Sequence, residues 1–448
     1  MKIQLSDHFT YKKLLRFTLP SIGMMIFSSI YGVVDGFFVS NFVGETAFTA
    51  VNFIMPFLMI LGAVGFMFGA GGSALIAKTL GEGNRKKANS LFSLFVYVSF
   101  ALGILIAVLG IVLLRPVASL LGAEGTLLKN CVDYGWIISL GLPFFMLQME
   151  FQSFMITAEK PQLSLWFTVA CGCTNIALDA LFVGAFDWGL EGAAIATITS
   201  QFVGCALPLV YFSIKNKSLL RLGKTQMDFG ALVKTCTNGS SELMTNISMS
   251  LVGILYNYQL LKYAGEPGVA AYGVLLYVNF IFISAFIGYS IGCAPVVGYH
   301  YGAGNSQELK GLLRKSTVII GISSVAMVGI ALAASVPMSH IFVGYNESLF
   351  QITKTAFLFY SFSFLFSGFA IFGSSFFTAL SNGPISAIIS FMRTLVFQSV
   401  AVLVLPVIFE QAGGYAVHGI WLSIVVAEAL AVVVTLIFLF AKRKKYNY

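Results

Sequence analysis

The chain has 448 residues, of which 58% are hydrophobic and only 10% are charged, and Phe alone contributes 43. Soluble domains are nearer a quarter charged, so this composition excludes a soluble globular protein and indicates an integral membrane protein. The net charge of +8 is spread over many short segments. No basic domain exists that could lie on a nucleic-acid duplex, so no nucleic-acid partner is expected.

Apolar runs long enough to cross a bilayer recur along the whole chain and predict an all-α membrane protein with twelve spanning helices. No segment is long and polar enough to form a separate soluble domain. The predicted helices cover residues 14–43, 47–77, 91–114, 132–157, 163–184, 192–214, 231–262, 269–297, 316–337, 352–379, 385–408 and 419–441.

The first apolar run contains one carboxylate, Asp35, and no basic residue closer than Arg16 on its N-terminal side. A lone acid in a membrane helix is costly and usually faces a cavity or a partner. Pro20 lies earlier in the same run and removes a helix hydrogen bond, so we expect this helix to bend there.

Further acids inside predicted helices include Glu150 in the fourth and Glu242 in the seventh, whereas the tenth helix contains none. Both remain secondary candidates for a role in transport. A structural role is the alternative for Glu150, and a solvated position near a helix start is the alternative for Glu242. The six cysteines are scattered and mostly lie in apolar runs, so no metal or redox pair is expected.

The distribution of positive charge predicts the orientation in the membrane. All but four of the 26 Lys and Arg residues fall on one side of the predicted helices; the exceptions are Arg115, Lys129, Lys262 and Lys354. By the positive-inside rule, both termini and every even-numbered loop are expected in the cytoplasm. We expect a multi-pass protein of the plasma membrane.

The two halves of the sequence resemble each other at an offset of 221 residues. The turn Gly-Glu-Gly-Asn after the second helix recurs as Gly-Ala-Gly-Asn after the eighth. Matched pairs include Gly71 with Gly292, Gly81 with Gly302, Gly83 with Gly304 and Asn84 with Asn305. Because each half has six helices, both begin on the same side, which predicts a pseudo-two-fold axis along the membrane normal.

The repeat predicts two lobes with substrate held between them. The expected division is an N-terminal six-helix lobe at residues 1–214, a cytoplasmic linker at 215–230 and a C-terminal six-helix lobe at 231–448. The linker is the most polar long connection in the chain.

Several motifs resemble the multidrug and toxic compound extrusion (MATE) family of secondary transporters. They are LPSI in the first helix, VDGFFVSNFVG at its end, the paired GEGN and GAGN turns, and TNIALDALFVGAFDWGLEGAAIATITSQ across helices five and six. The resemblance covers nearly the whole chain and is closer to the DinF-like branch. It implies cation-coupled antiport of drugs and other organic compounds.

The resemblance also implies a cation site in the N-terminal half, and it assigns the bending of helix 1 to Pro20. The implied ligands are Asp35, Asn175, Asp179 and Thr197. Asn175 and Asp179 are four residues apart and share a helix face. An all-oxygen set suits a small hard cation, and two nearby acids cannot both stay ionised without a partner. The alternatives are a helix cap for Asp35 and interhelical hydrogen bonding for Asn175 and Thr197.

We therefore hypothesise an antiporter, not an enzyme, that exports cationic or amphipathic organic compounds by alternating access in exchange for Na⁺ or H⁺. No cofactor and no obligate protein partner are expected; the partners are the small-molecule substrate and the lipid bilayer. The sequence lacks a phosphate-binding loop and a metalloprotease motif. A channel is disfavoured by the repeat with buried acids. The main alternative is a flippase for a lipid-linked oligosaccharide or another lipid, although Arg393 is its only basic candidate at membrane depth.

Overall fold

The computed structural model describes residues 3–216, 218–344 and 346–448, and its secondary structure there is entirely helical. The first half of the chain forms six long helices joined by short turns. They are α1 (Tyr11–Phe38), α2 (Glu45–Gly81), α3 (Arg85–Leu120), α4 (Gly125–Thr157), α5 (Pro161–Asp179) and α6 (Gly189–Ser213). We call this the N lobe.

The second half repeats this arrangement and forms the C lobe. A continuous helical stretch, Phe229–Gly302, is broken at Gly265, whose φ of 65° is left-handed, so it comprises two helices. The C-lobe helices are α7 (229–264), α8 (266–302), α9 (Ser306–Val343), α10 (Glu347–Ser361 with Phe364–Ala379), α11 (Gly383–Gly413) and α12 (Ala416–Tyr446). The two parts of α10 are bent by 49°. The prediction of twelve membrane-spanning helices in two halves is confirmed for the described part of the chain.

Several helices extend beyond the apolar runs that predicted them because capping residues start them early. The Asn84 side chain accepts a hydrogen bond from the Lys87 amide at 3.0 Å, so α3 begins at Arg85. Asn305 accepts one from the Glu308 amide at 3.0 Å in the same way and starts α9. The two GxGN turns of the repeat are therefore helix-capping turns.

The packing between the lobes is reciprocal, as a two-fold axis requires. A methyl group on Gly81 would collide with the carbonyl oxygen of Tyr299, and one on Gly302 would collide with that of Lys78. At the offset of 221 residues, Gly81 corresponds to Gly302 and Lys78 to Tyr299. The same contact between repeat positions thus occurs twice, once with the glycine in each lobe. Only a residue without a side chain permits this close approach of the two backbones.

The interface between the lobes is closed at the end that carries both chain termini. There the α2 backbone touches α7, where Gly71 faces the carbonyl of Thr235 and Gly239 faces that of Met67. No backbone contact of this kind is described at the opposite end. Gly32 on α1 and its repeat partner Gly253 on α7 have no neighbouring described atom within 4 Å of the position of a β carbon. We call these two ends of the molecule the closed end and the open end.

The segment before α1 crosses from the N lobe to the C lobe at the closed end. The Leu5 amide donates to Glu159 on the turn between α4 and α5 at 2.8 Å. Glu308 on α9 accepts from the Phe9 amide at 2.9 Å and contacts the His8 ring at 2.6 Å. Because Leu5 and Phe9 are fully buried, this segment is part of the closed interface.

The linker between the lobes occupies the equivalent place on α3. The Arg85 guanidinium donates to the carbonyl oxygens of Ser218 at 2.7 Å and Leu219 at 3.1 Å. Asn89 accepts from the Arg221 amide at 2.7 Å. The linker is thereby fastened to the N lobe, whereas the segment before α1 joins the two lobes.

Candidate functional site

Two of the acids found in the apolar runs lie where an α-helix changes into a π-helical turn. The turn Val39–Val43 follows α1, and the carbonyl of Asp35 accepts from the Val39 amide at this transition. Asp179 is the last residue of α5, and the turn Ala180–Ala185 begins immediately after it. Single π-helical turns in membrane helices are frequent at functional sites because they shift side chains out of helical register.

The structure brings the four predicted site residues of the N lobe into one cluster. Asp35 Oδ1 accepts a long hydrogen bond of 3.4 Å from the Thr197 hydroxyl. The Asp35 carboxyl also interacts with the side chains of Asp179 and Asn175. Asp179 and Asn175 are buried, whereas Asp35 and Thr197 are partly exposed. The cluster therefore has a buried side, formed by Asp179 and Asn175, and a partly exposed side, formed by Asp35 and Thr197.

This cluster has oxygen atoms that the described protein leaves without a hydrogen-bond partner. They are both carboxylate oxygens of Asp179 and the amide oxygen of Asn175. Buried polar oxygens are normally satisfied, so their convergence beside a second carboxylate fits a small hard cation or a proton. No group of three or more His, Cys, Asp or Glu residues elsewhere in the described ranges could hold a metal.

Two tyrosines that the sequence did not single out complete the surroundings of the acids. Tyr134 on α4 is 1% exposed and lies within electrostatic range of both Asp35 and Asp179. Tyr31, one turn before Asp35 on α1, interacts with Gln148 of α4. A tyrosine in a chain with 18 of them carries no recognisable signal, and only its contacts identify it.

The secondary candidates lie apart from this cluster. Glu150 on α4 is fully buried, both its carboxylate oxygens lack a hydrogen-bond partner in the described structure, and its nearest polar neighbour is Ser99 on α3. It faces the interior of the N lobe. Glu242 lies well inside α7 and within electrostatic range of Arg393. Pro20 lies inside α1, which is continuously helical across it.

The C lobe contains a buried ion pair that the sequence analysis did not pair. The Arg393 Nε atom on α11 donates to both carboxylate oxygens of Glu428 on α12, at 3.0 and 2.8 Å. The side chain of Glu428 is 1% exposed and that of Arg393 is 12% exposed. Arg393 lies in a third π-helical turn, Met392–Val396. The single basic candidate at membrane depth is therefore already neutralised.

Comparison with known proteins gives consistent matches over nearly the full length. A family model described as MatE matches residues 20–181 and again residues 243–403, one match in each lobe. The multidrug export protein MepA of Staphylococcus haemolyticus is 24% identical over 97% of this chain and 94% of its own length.

Solved structures of MATE proteins share the fold. A MATE protein in complex with MaL6 has a TM-score of 0.92 at 21% identity, covering 98% of both chains. An outward-facing multidrug resistance MATE family transporter of the MOP superfamily has a TM-score of 0.91 at 20% identity, covering 98% of this chain and 97% of its own. The closer likeness to the DinF-like branch stays a prediction. Because the family model covers most of both lobes, this chain belongs to the MatE family, whose members are membrane transporters and not enzymes.

Proposed function

We propose that this protein exports organic compounds, drugs among them, in exchange for Na⁺ or H⁺ that enters through the N lobe. The observation that carries the proposal is the pair Asp35 and Asp179, in a cluster with unpartnered buried oxygens on one side and partial exposure on the other. The relatives that are named multidrug export proteins support the substrate class.

The cation acts on the conformational equilibrium through charge. Two carboxylates in a low-dielectric site repel each other, and a bound Na⁺ or proton removes the repulsion. The state that holds the cation and the state that holds the organic substrate therefore differ in free energy, and each ligand shifts the balance toward its own state. Asp35 is the switching carboxylate and Asp179 its partner. Asn175 and Thr197 supply the neutral oxygen ligands.

Helix α1 links this site to the interface between the lobes. Asp35 lies near its open end, whereas Gly288 and Gly292 of α8 pack against its closed end. Pro20 lies within the stretch of α1 that these glycines contact, residues 18–22, and weakens the helix hydrogen bonds there. Neutralising Asp35 can therefore bend α1 at Pro20 and loosen its contacts with α8.

The proposed orientation follows from the basic loops. The termini, the linker and the other loops on the same side carry all but four of the 26 Lys and Arg residues, so the closed end faces the cytoplasm and the open end faces outside in the plasma membrane. The described conformation is then the outward-open state. The division into an N lobe at 1–214, a linker at 215–230 and a C lobe at 231–448 is part of this proposal.

The charges near the space between the lobes favour cationic or amphipathic substrates. Asp35 and Asp179 are acidic, and Glu242 adds a third carboxylate. A flippase for a diphosphate-linked lipid would need uncompensated basic groups, but Glu428 neutralises Arg393. Efflux of organic cations is therefore favoured over the flippase alternative. Glu242 and Glu150 remain secondary candidates.

The test is efflux of a fluorescent organic cation from proteoliposomes with the full chain reconstituted. We expect Asp35→Asn and Asp179→Asn each to lower ion-driven efflux at least tenfold, whereas Glu124→Gln, an exposed acid outside the cluster, retains it. Applying an Na⁺ gradient at equal pH and a pH gradient without Na⁺ separates the two coupling ions. Full efflux in both Asp variants would rule out the proposed site.

A further inference from the structure

The C lobe has a charged cluster on the helices that correspond to those of the N-lobe cation cluster. The N-lobe cluster is built by α1, α4, α5 and α6. The helices in the same order in the C lobe are α7, α10, α11 and α12. They contribute Tyr256, Tyr360, Arg393 and Glu428. Tyr256 is also the residue that the offset of 221 places opposite Asp35.

These four side chains form one buried cluster. Glu428 lies within electrostatic range of Tyr256 and Tyr360, and Tyr360 is also within range of Arg393. The Tyr256 ring stacks on Tyr272 of α8, with centroids 5.1 Å apart and planes 8° apart. The charged groups described at this cluster are the ion pair itself and Glu242 of α7, which lies within electrostatic range of Arg393.

The two clusters therefore differ in the source of the positive charge that compensates their carboxylates. In the N lobe, the interactions described for Asp35 and Asp179 involve only carboxyl, amide, hydroxyl and phenol groups. In the C lobe, the guanidinium of Arg393 donates to both oxygens of a carboxylate that is 1% exposed. A buried carboxylate must be compensated by a cation or a proton, and here the chain itself provides the cation.

We propose that Arg393 is a tethered cation that fills the C-lobe equivalent of the N-lobe cation site, and that Glu428 binds a free Na⁺ or a proton once the guanidinium is removed. The C lobe is thereby prevented from exchanging an ion. Coupling is restricted to the N lobe, and in this respect the inference rests on the proposed function. Arg393 is a positioning residue that holds the carboxylate of Glu428 and joins α11 to α12.

The experiment is thermal unfolding of the purified full chain in detergent, so it does not depend on transport. Arg393→Gln is compared with the double variant Arg393→Gln/Glu428→Gln, in sodium chloride and in choline chloride of equal ionic strength, at mildly acid and at alkaline pH. The N-lobe acids are present in both variants, so their ion dependence cancels in the comparison. Wild type shows the same N-lobe dependence.

We expect Arg393→Gln to unfold on the order of 5 °C below the double variant at alkaline pH in choline chloride, because Glu428 is then buried without a counter-charge. Acid pH or Na⁺ should close that gap, which would be the signature of a proton or Na⁺ on Glu428. An equal dependence of both variants on pH and Na⁺ would overturn the inference.

A variant that cannot be purified under one condition also decides the question. If Arg393→Gln is monodisperse at acid pH or in Na⁺ but aggregates at alkaline pH in choline chloride, the inference holds in its strongest form. If it aggregates under every condition while the double variant is monodisperse, no small cation replaces the guanidinium and the inference fails. Full efflux in the Asp35 and Asp179 variants, which would rule out the proposed N-lobe site, would leave this result untouched.

Discussion

The N lobe and the C lobe have corresponding helices in the same order, but their buried carboxylates are compensated in different ways. In the N lobe, Asp35 and Asp179 face each other and leave oxygens without a partner. In the C lobe, the carboxylate of Glu428 forms an ion pair with Arg393, and Tyr256 occupies the repeat position of Asp35. Duplication preserved the packing between the lobes, whereas the chemistry diverged. A transporter that uses one ion site can therefore keep a symmetrical frame.

The largest expected difference is in the response of the two lobes to the same chemical change. Glu428→Gln leaves Arg393 buried without its counter-charge and should cost about 3–5 kcal/mol of unfolding free energy. Asp179→Asn removes one of two repelling acids and should change stability by less than about 1 kcal/mol or increase it. Denaturation in detergent measures both, with Glu124→Gln on an exposed loop as control. Equal losses in the two lobes would contradict the difference in charge compensation.

The second difference is between the closed and the open end. Gly81→Ala and Gly302→Ala place a methyl group against a backbone carbonyl of the other lobe. Each should cost about 1–3 kcal/mol and impair closure and efflux, because overpacked contacts are relieved only by backbone movement.

Gly32→Ala and Gly253→Ala are the matched controls at the open end, where the added methyl group meets no described atom within 4 Å. They should leave the stability of the described conformation unchanged or raise it slightly. Thermal unfolding and efflux are measured on all four variants. A similar loss at both ends would contradict the assignment of Gly81 and Gly302 to close contact between the lobes, because Ala has the higher helix propensity at all four positions.

The third comparison separates the segment that joins the lobes from the linker that is fastened to one lobe. Glu308→Ala removes the acceptor of the Phe9 amide and the partner of His8. Bonds to charged groups contribute about 1.5–3 kcal/mol, so this variant should shift the conformational equilibrium toward opening of the closed end. Arg85→Ala should loosen the linker without separating the lobes.

Cys236 of α7 provides the measurement, because it packs against the core of the N lobe at the closed end. Its rate of maleimide labelling, in a chain whose other five cysteines are replaced by Ser, reports opening there. We expect Glu308→Ala to raise the rate several-fold and Arg85→Ala to leave it near that of the parent. Equal rates in the two variants would mean that the segment before α1 does not hold the lobes together.

The smallest expected effect is equal in the two lobes. Asn84→Ala and Asn305→Ala each remove one helix cap, and each should cost about 1 kcal/mol. Both variants should retain efflux. A loss of unfolding free energy that differs strongly between the two variants would mean that the paired turns have diverged, as the charged clusters of the two lobes have.

The helices and the symmetry could be predicted from the sequence because both depend on local patterns. Apolar length marks each spanning helix, and Gly265 before Pro267 marks the break between α7 and α8. The offset of 221 residues identified Gly81 and Gly302 as equivalent positions, and their packing against the opposite lobe is reciprocal. The cost of a lone acid in a membrane helix drew attention to Asp35, and the family resemblance added Asn175, Asp179 and Thr197.

The tertiary structure alone decided which side chains meet. The π-helical turns after Asp35 and Asp179 depend on how α1 and α5 pack, not on their local residue pattern. Tyr134 reaches Asp35 from α4, a helix far from α1 in the sequence. Arg393 likewise pairs with Glu428, which is 35 residues away in the sequence. The hydropathy of a residue indicates the free-energy cost of burying it. Only the packing of distant helices determines whether that cost is met by a free ion, as we propose for the N lobe, or by another residue of the same chain.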